Sequence, residues 1–533
     1  LTVNFRIGER EISVRETIPD RIIKYFNPVK ARERMQARIM MALAGGYVGG
    51  SRSRRSMSGW IPSTGDADAD ILYDLPVLRG RSRDLARNNP LATGALNTTV
   101  TNVVGTGLKL QARIDRDVLN LTEEEADAWE ARAEREWRLW AESQECDATR
   151  TLTFADMQEL AFRQVLENGD VFFLLPRFKM GNIPYLLKLQ AIEADRVCNK
   201  DNKSDSDRLS GGVEKDEYGA PVAYHIAKRH PGRIFGSLKQ EWVVVRAFGK
   251  KTGLRNVIHL YRQLRPGQSR GVPYLAPVIE ALKQISRYTE AELMAAVVSG
   301  MFTVFIETAT GDGELAPMAP TDDIGGSDTD EDYKLGNGAI VGLAPGEKIS
   351  AANPGRPNTA FDPFVLAVLR QIGVALELPF EVLVKHFTAS YSAARAALLE
   401  AWKFFNSRRQ WLAKNFCQIV YEHFIYEAVA LGRLDAPGFF DDPMISKAYC
   451  GAEWIGPAKG MIDELKEVKA AREKIDMGVA TISEVTAELT GGDWEKKHRQ
   501  SAKEMRMRRE AGLVVDKADS GALSEKEVLN ETD

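Results

Sequence analysis

The residue types that carry catalysis and metal binding are thinly and irregularly spread along this chain. Its four cysteines, Cys146, Cys198, Cys417 and Cys450, lie tens of residues apart, with no Cys-x-x-Cys pair of the kind that binds zinc or cycles between thiol and disulfide. Reduced thiols in a cytosolic compartment are the expectation. No two of the six histidines have the spacing that puts two metal ligands on one helix face, since His225 and His230 are five apart, on a predicted strand and turn. A phosphate-cradling Gly-x4-Gly-Lys-Ser/Thr loop is absent, which excludes a self-contained P-loop ATPase. The Gly-x-Ser-x-Gly elbow is also missing, because residues 49–53 (GGSRS) and 325–329 (GGSDT) lack the final glycine. Isolated Gly-x-Gly pieces at Gly105 and Gly107 and at Gly336 and Gly338 do not sit at strand-to-helix turns. Carboxylates are abundant, but nothing singles out an acid and a base. No catalytic residue, metal or cofactor is therefore expected, and the balance points to a structural or mechanical role.

The elements that position these residues belong to a large globular chain. At 533 residues it is three to four times a usual domain, so two to four structural units are expected. A hydrophobic share of 44% and a charged share of 27% are ordinary for a folded protein. The longest apolar run, Leu293 to Ile306, has 14 residues, short of the roughly 20 a bilayer span needs. The first 20 residues lack a continuous apolar core, which argues against a secretory signal, and Leu1 in place of Met reads as a processed or unusual start. A net charge of −4 excludes a globally basic nucleic-acid binder. It hides an asymmetry: residues 1–60 carry twelve Lys and Arg against five Asp and Glu, so a basic arm precedes an acidic body.

Along the chain, Pro28 to Ala44 reads as a short basic helix and residues 45–59 as a Gly/Ser/Arg-rich linker. Helical periodicity from Leu78 to Val104 is broken at Asn88, Asn89 and Pro90. Thr122 and Glu125 form a capping box ahead of a helix that places Trp129, Ala133, Trp137 and Trp140 on one face, a core pattern. A helix around Phe154 to Asn168 is followed by β-forming runs to about residue 260, predicting an antiparallel or mixed sheet. A long helix is expected from Pro273 to Val304, about 45 Å in length. Residues 310–333 hold eight acidic residues and no basic one and read as a solvated loop, followed by a turn, short strand and turn over 336–350. A helix starts near Phe361 and breaks at residues 378–380. The longest helical pattern runs from Tyr391 to Leu431 and is ended by Gly432. Two or three charged helices fill 458–512, and the last 20 or so residues read as disordered.

Several segments together resemble the lambda-type portal proteins of tailed bacteriophages. They are residues 82–108, 136–154, 187–197, 259–279 (HLYRQLRPGQSRGVPYLAPVI), 378–402 (LPFEVLVKHFTASYSAARAALLEAW) and 462–500, in order and covering most of 24–512. The RPGQSRGVPYLAP and YSAARAALLEAW stretches are the most specific. The chain departs from the pattern at Glu464, where relatives more often have proline.

The resemblance implies an α+β portal fold and a non-enzymatic ring, normally of twelve copies, at one capsid vertex of the virion. Double-stranded DNA would enter through it in packaging and leave at infection. It implies a basic arm and linker over 1–60, a mixed α/β wing over 61–272, a first stem helix over 273–304 and a small α/β clip over 305–358. A second stem helix over 359–378, a tunnel loop over 379–391, a long wing helix and return over 392–454, a helical crown over 455–512 and a disordered tail over 513–533 complete it. The implied partners are further copies of the chain, double-stranded DNA, the terminase large subunit, a head-tail connector, and major capsid and scaffold proteins, with assembly in the host cytoplasm and no membrane. In the tunnel loop Lys385, His386 and Ser390 are the polar groups that would face DNA; alternatively they solvate a turn between helices. Arg262, Arg265 and Arg270, around the Pro266-Gly267 turn, are candidates for inter-subunit contact or for a solvated turn. Arg395 is a further inter-subunit candidate that would otherwise pair with an acidic neighbour. A conduit must not grip what it passes, and an acidic body suits that. The alternative is a metal-dependent DNA-processing enzyme of unrecognised α+β fold.

Overall fold

The computed structural model describes residues 2–7, 10–15, 18–43, 55–57, 59–233, 240–300, 304–308, 347–351, 360–386, 390–461 and 463–513. The acidic stretch at 310–333, the segment 336–346, most of the 45–59 linker, residues 387–389 and the tail from 514 lie outside them. Two compact units are present, Leu1–Gly65 and Asp66–Asp533. In the first, strands Thr2–Ile7 and Arg10–Arg15 pair as an antiparallel hairpin. Helices Ile18–Phe26 and Pro28–Leu43 follow. Asn27 starts the second of them by accepting the Lys30 N–H at 3.1 Å, with Pro28 at the first helical position.

The second unit mixes helices with small antiparallel sheets. Asn89 ends helix Leu75–Asn88 and caps helix Pro90–Val103, accepting the Ala92 N–H at 2.9 Å. The capping box at Thr122 opens helix Glu123–Ala141. Helix Phe154–Asn168 leads into strand Asp170–Leu174, which is central between Val257–Tyr261 and Gln190–Ile192. Leu209–Ser210, Val213–Lys215, Pro221–Ala227 and Trp242–Arg246 form a four-stranded meander. Lys109–Ala112 pairs with Ala452–Ile455, tying the two ends of the unit together.

The first long helix is shorter than its sequence pattern. It runs Ile279–Gly300, about 33 Å, after a 3-10 turn at Ala276–Val278. Pro277 disfavours helical backbone at the residue before it and lacks an N–H, so regular helix begins beyond it. Val304 instead starts a strand, Val304–Thr308, paired with Glu347–Ala351. Tyr391–Leu412, a π-turn at Ala413–Cys417 and Gln418–Ala430 form the longest helical run. It stops at Gly432, whose φ of +68° only glycine adopts freely, with the Arg433 N–H returning to Ala428 O at 2.9 Å.

The main core gathers around Trp137. Its ring lies 5.1 Å from Trp140 and Phe154, 5.2 Å from Phe424, 5.5 Å from Tyr421 and 5.8 Å from Trp454. Trp129 sits at the edge of this stripe, half-buried, donating to Asp435 O at 2.8 Å. A second, smaller core under the meander holds Phe172, Ile192, Val213, Tyr224 and Ile226.

Candidate functional site

The loop after helix Phe361–Ala375 is anchored by buried apolar groups and presents polar ones. Leu378 returns its N–H to Gly373 O at 2.9 Å, so close that a Cβ on Gly373 would stand 2.7 Å from Leu378 O. Pro379 starts the short helix Phe380–Val384, which buries Val382 and Leu383. Glu377 and Lys385, on either side, take left-handed φ values of 54° and 55°. Arg370 lies over the Phe380 ring at 5.5 Å, and the buried Arg408 reaches Glu377 at 3.4 Å. Lys385, His386 and Ser390 are all exposed, as either reading of this loop requires.

The arginines around Pro266 divide. Arg262 is exposed, and Arg265 pairs with Asp70 at 2.6 Å. Arg270 is buried, 2% exposed, and spends all five donors within the chain. Nε and NH2 reach Asp170 at 2.6 and 3.2 Å, NH2 also donates to Ala194 O, and NH1 donates to Val197 O and Gly211 O. This corrects its assignment to an inter-subunit surface: the guanidinium closes a buried network instead. Asp170 also binds Arg79 at 2.7 Å, faces His259 at 3.3 Å and accepts the Gly271 N–H at 3.2 Å. Burial alone would raise the Asp170 carboxyl, but Arg270 and Arg79 hold it far below the carboxylate range. Burial lowers His259, which is stacked between Phe172 and Tyr261 at 4.1 and 4.2 Å. The approach demands two glycines, since a Cβ on Gly169 would lie 2.4 Å from Gly271 O and one on Gly271 1.9 Å from Gly169 O.

Beside this network, Glu193, Asp195 and His230 form the one trio of potential metal ligands among the described residues. A cation already occupies it. Arg83 reaches Asp195 at 2.5 Å and Glu193 at 3.3 Å, and Arg79 reaches Asp195 at 3.4 Å. A metal ion would have to displace a guanidinium, so the trio does not fit the metal-dependent enzyme reading.

Arg395 is exposed; hydrogen bonds from Lys466 hold the Asp463 carboxyl below its ordinary value, and the charge of Arg395 adds the smallest contribution. Asp463 caps helix Glu464–Asp476, the first of three C-terminal helices, followed by Ile482–Thr490 and Trp494–Glu510. The last is fixed at its start by ion pairs Arg113–Glu495 at 3.2 Å and Lys496–Glu134 at 2.7 Å. Glu130 lies beside this joint, accepting the Ile114 N–H at 2.8 Å and standing 3.7 Å from Arg113. Burial raises its carboxyl to about 7, aided by Asp127 and Glu495 and opposed by Ile114 and Arg113. A carboxyl raised on folding contributes stability below its unfolded value near 4.5, and that contribution is lost as pH rises through about 7. Glu130→Gln is therefore expected to raise the thermal midpoint by a few degrees at pH 8 and to change it little at pH 5. Equal shifts at both pH values, read by scanning fluorimetry, would contradict this.

Sequence reasoning missed Arg79, Asp170 and His259. Asp170 and Arg270 are 100 residues apart, and no local pattern links them. The nearest signal was the density of Gly and Arg in RPGQSRGVP, which is explained by Gly271 and Arg270.

The profile described as "Phage portal protein, lambda family" matches residues 53–409. Portal protein B of Escherichia phage lambda is 26% identical over 495 residues, covering 88% of this chain and 91% of that protein. The portal protein of Escherichia phage N15 matches with the same identity and coverage. A probable portal protein of Halomonas phage phiHAP-1 is 24% identical over 484 residues, 87% of each. Among solved structures, a chain of a native gene transfer agent virion is 16% identical with a TM-score of 0.41, covering 78% of this chain and 93% of that one. These curated relatives are portal proteins rather than enzymes, which favours the portal reading over the enzyme alternative. The chain belongs to the lambda family of phage portal proteins.

Proposed function

We propose that this portal protein closes into a ring at one vertex of the capsid and forms the channel through which double-stranded DNA is packaged and later ejected. The observation that carries the ring is an uncovered apolar stripe. On helix Ile279–Gly300, Leu293, Met294 and Val297 are 63%, 61% and 47% exposed, and on helix Phe361–Ala375, which packs against it, Phe364 and Val374 are 54% and 81% exposed. Phe364 packs edge-on against Tyr288 at 5.2 Å, and among the described residues these side chains otherwise stay about half exposed or more. Neighbouring copies related by rotation would cover the same stripe on every subunit.

In this reading Ile279–Gly300 and Phe361–Ala375 are the two stem helices, 305–358 the clip and 379–391 the tunnel loop. Residues 61–272 with 392–454 build the wing, and 455–512 the crown. The chain carries no P-loop, so a separate motor, the terminase large subunit, would dock on the ring and later give way to a head-tail connector. Capsid and scaffold proteins would surround it in the virion. No described helix is long and apolar enough to cross a membrane. Lys385, His386 and Ser390 would line the channel, while Arg262 and Arg395 would face neighbouring copies and Arg265, paired with Asp70 at 2.6 Å, would reach one only as part of that ion pair. Lys385→Glu is expected to leave ring assembly intact while shifting the DNA packaged or retained per particle by about twofold or more. Normal packaging rate and density in that variant would remove Lys385 from the channel role.

A further inference from the structure

The three C-terminal helices differ in how their charges are used. Helix Glu464–Asp476 carries four Lys and Arg against four Asp and Glu, with Arg472 and Asp476 paired at 3.7 Å. Helix Trp494–Glu510 carries seven Lys and Arg against three Glu. Its first turns are committed: Glu495 binds Arg113, Lys496 binds Glu134 and Asp493, and Lys497 donates to Thr490 Oγ1 at 2.5 Å. Beyond them Arg499, Lys503, Arg506, Arg508 and Arg509 have no carboxylate within ion-pair distance among the described residues, and every residue from Lys496 to Leu513 is exposed. Of the two acidic residues in that stretch, Glu504 and Glu510, the first is engaged by Gln500 at 2.8 Å.

At about 100° per residue, Arg499, Lys503, Arg506 and Arg509 fall within one arc of about 120°, which also takes in Glu510 at the C-terminal end of the helix. They span about 15 Å of helix, against which a duplex presents about nine phosphate charges. Arg508 and Arg509 in the last turn also complement the helix dipole, but that account does not reach Arg499, Lys503 or Arg506.

We infer that the exposed half of helix Trp494–Glu510 is a sequence-independent binding surface for the phosphodiester backbone of duplex DNA. Phosphate contacts need only charge along a line, which this arc supplies. A protein partner would call for an apolar or aromatic centre, and the arc holds no aromatic or large apolar residue: the exposed Met505 and Met507 flank it about 40° beyond either edge, and Trp494 and His498, stacked on each other at 5.0 Å, also lie outside it. This role rests on the conduit reading: the arc would give the ring a basic surface for the duplex, apart from the acidic body past which DNA slides.

The test uses the full-length assembled protein, a fluorescently labelled 30-base-pair duplex of arbitrary sequence, and an acidic polypeptide of similar charge. The variant Arg499→Gln/Lys503→Gln/Arg506→Gln/Arg509→Gln is compared with a control in which Lys466, Lys469, Arg472 and Lys474 become Gln. Four lost phosphate contacts should flatten the slope of log affinity against log salt by about 3.6 for each subunit that touches the duplex, equivalent to about 150-fold per subunit between 50 and 200 mM. The control should keep the wild-type slope. An unchanged slope in the first variant, an equal loss in the control, or loss of binding to the acidic polypeptide but not to DNA would each overturn the inference. Native mass of both variants reads ring assembly separately, so failure of the basic surface is distinguishable from failure of the ring.

Discussion

Asp170→Ala is expected to yield a mostly insoluble chain, or one melting many degrees below wild type. The carboxylate is completely buried and stands between two guanidiniums that are themselves 4% and 2% exposed. Removing one member of a buried pair costs about 3–5 kcal/mol, because the charge left behind has neither water nor a partner. Here Arg270 loses its only carboxylate among the described residues and Arg79 keeps just the longer contact to Asp195 at 3.4 Å, and a folded protein has only about 5–15 kcal/mol in total. The loss would spread through Arg270, which ties together Ala194, Val197 and Gly211. Asp170→Asn preserves shape and some hydrogen bonds, so it should be intermediate and separates the charge from the packing. Because folding depresses the Asp170 carboxyl, its contribution is present above the unfolded value near 3.8 and is lost only as pH falls through the much lower folded value. The network should therefore survive mild acid. Wild-type solubility and a melting temperature within about two degrees for Asp170→Ala would show that the network is dispensable.

The second large effect is at Trp137. Trp137→Ala is expected to destabilise the chain by about 3–5 kcal/mol, the range for emptying a buried aromatic site. Its indole bridges helix Glu123–Ala141, helix Phe154–Asn168, helix Gln418–Ala430 and strand Ala452–Ile455 through Trp140, Phe154, Tyr421, Phe424 and Trp454. Four elements cannot all close on the cavity at once, so little of the loss is recovered by collapse. Trp137→Phe keeps part of the ring and should recover about half of it. Denaturant midpoints and tryptophan emission report the change; a midpoint close to wild type for the alanine variant would mean that the cluster is not a structural centre.

These two sites also mark what could be read before the structure. The Trp137 stripe was legible because helical spacing is local: Ala133, Trp137 and Trp140 share a face whatever they pack against. The same holds for the Thr122 capping box, the Asn89-Pro90 break and the stop at Gly432, each set within four residues. The Asp170 network was illegible because its members come from four distant segments, and a single Arg in a Gly/Pro-rich turn looks solvated. Arg270 was read as surface for that reason. Pro273 suits a first turn, so the pattern predicts a helix from there, whereas Pro277 confines regular helix to Ile279–Gly300. Of the candidate channel residues, Lys385, His386 and Ser390 are exposed in the single chain, and their neighbours in a ring depend on other copies. No pattern within one sequence encodes that arrangement.

The ring itself is the central claim, and native mass measurement with images of the purified full-length chain tests it most directly. Twelve copies of the 59.2-kDa chain come to about 710 kDa, with a central opening wide enough for duplex DNA. The account predicts a closed ring of that order, with the stripe of Leu293, Met294 and Val297 covered by a neighbouring copy. A stable monomer or dimer at every concentration, with those side chains still exposed, would contradict it.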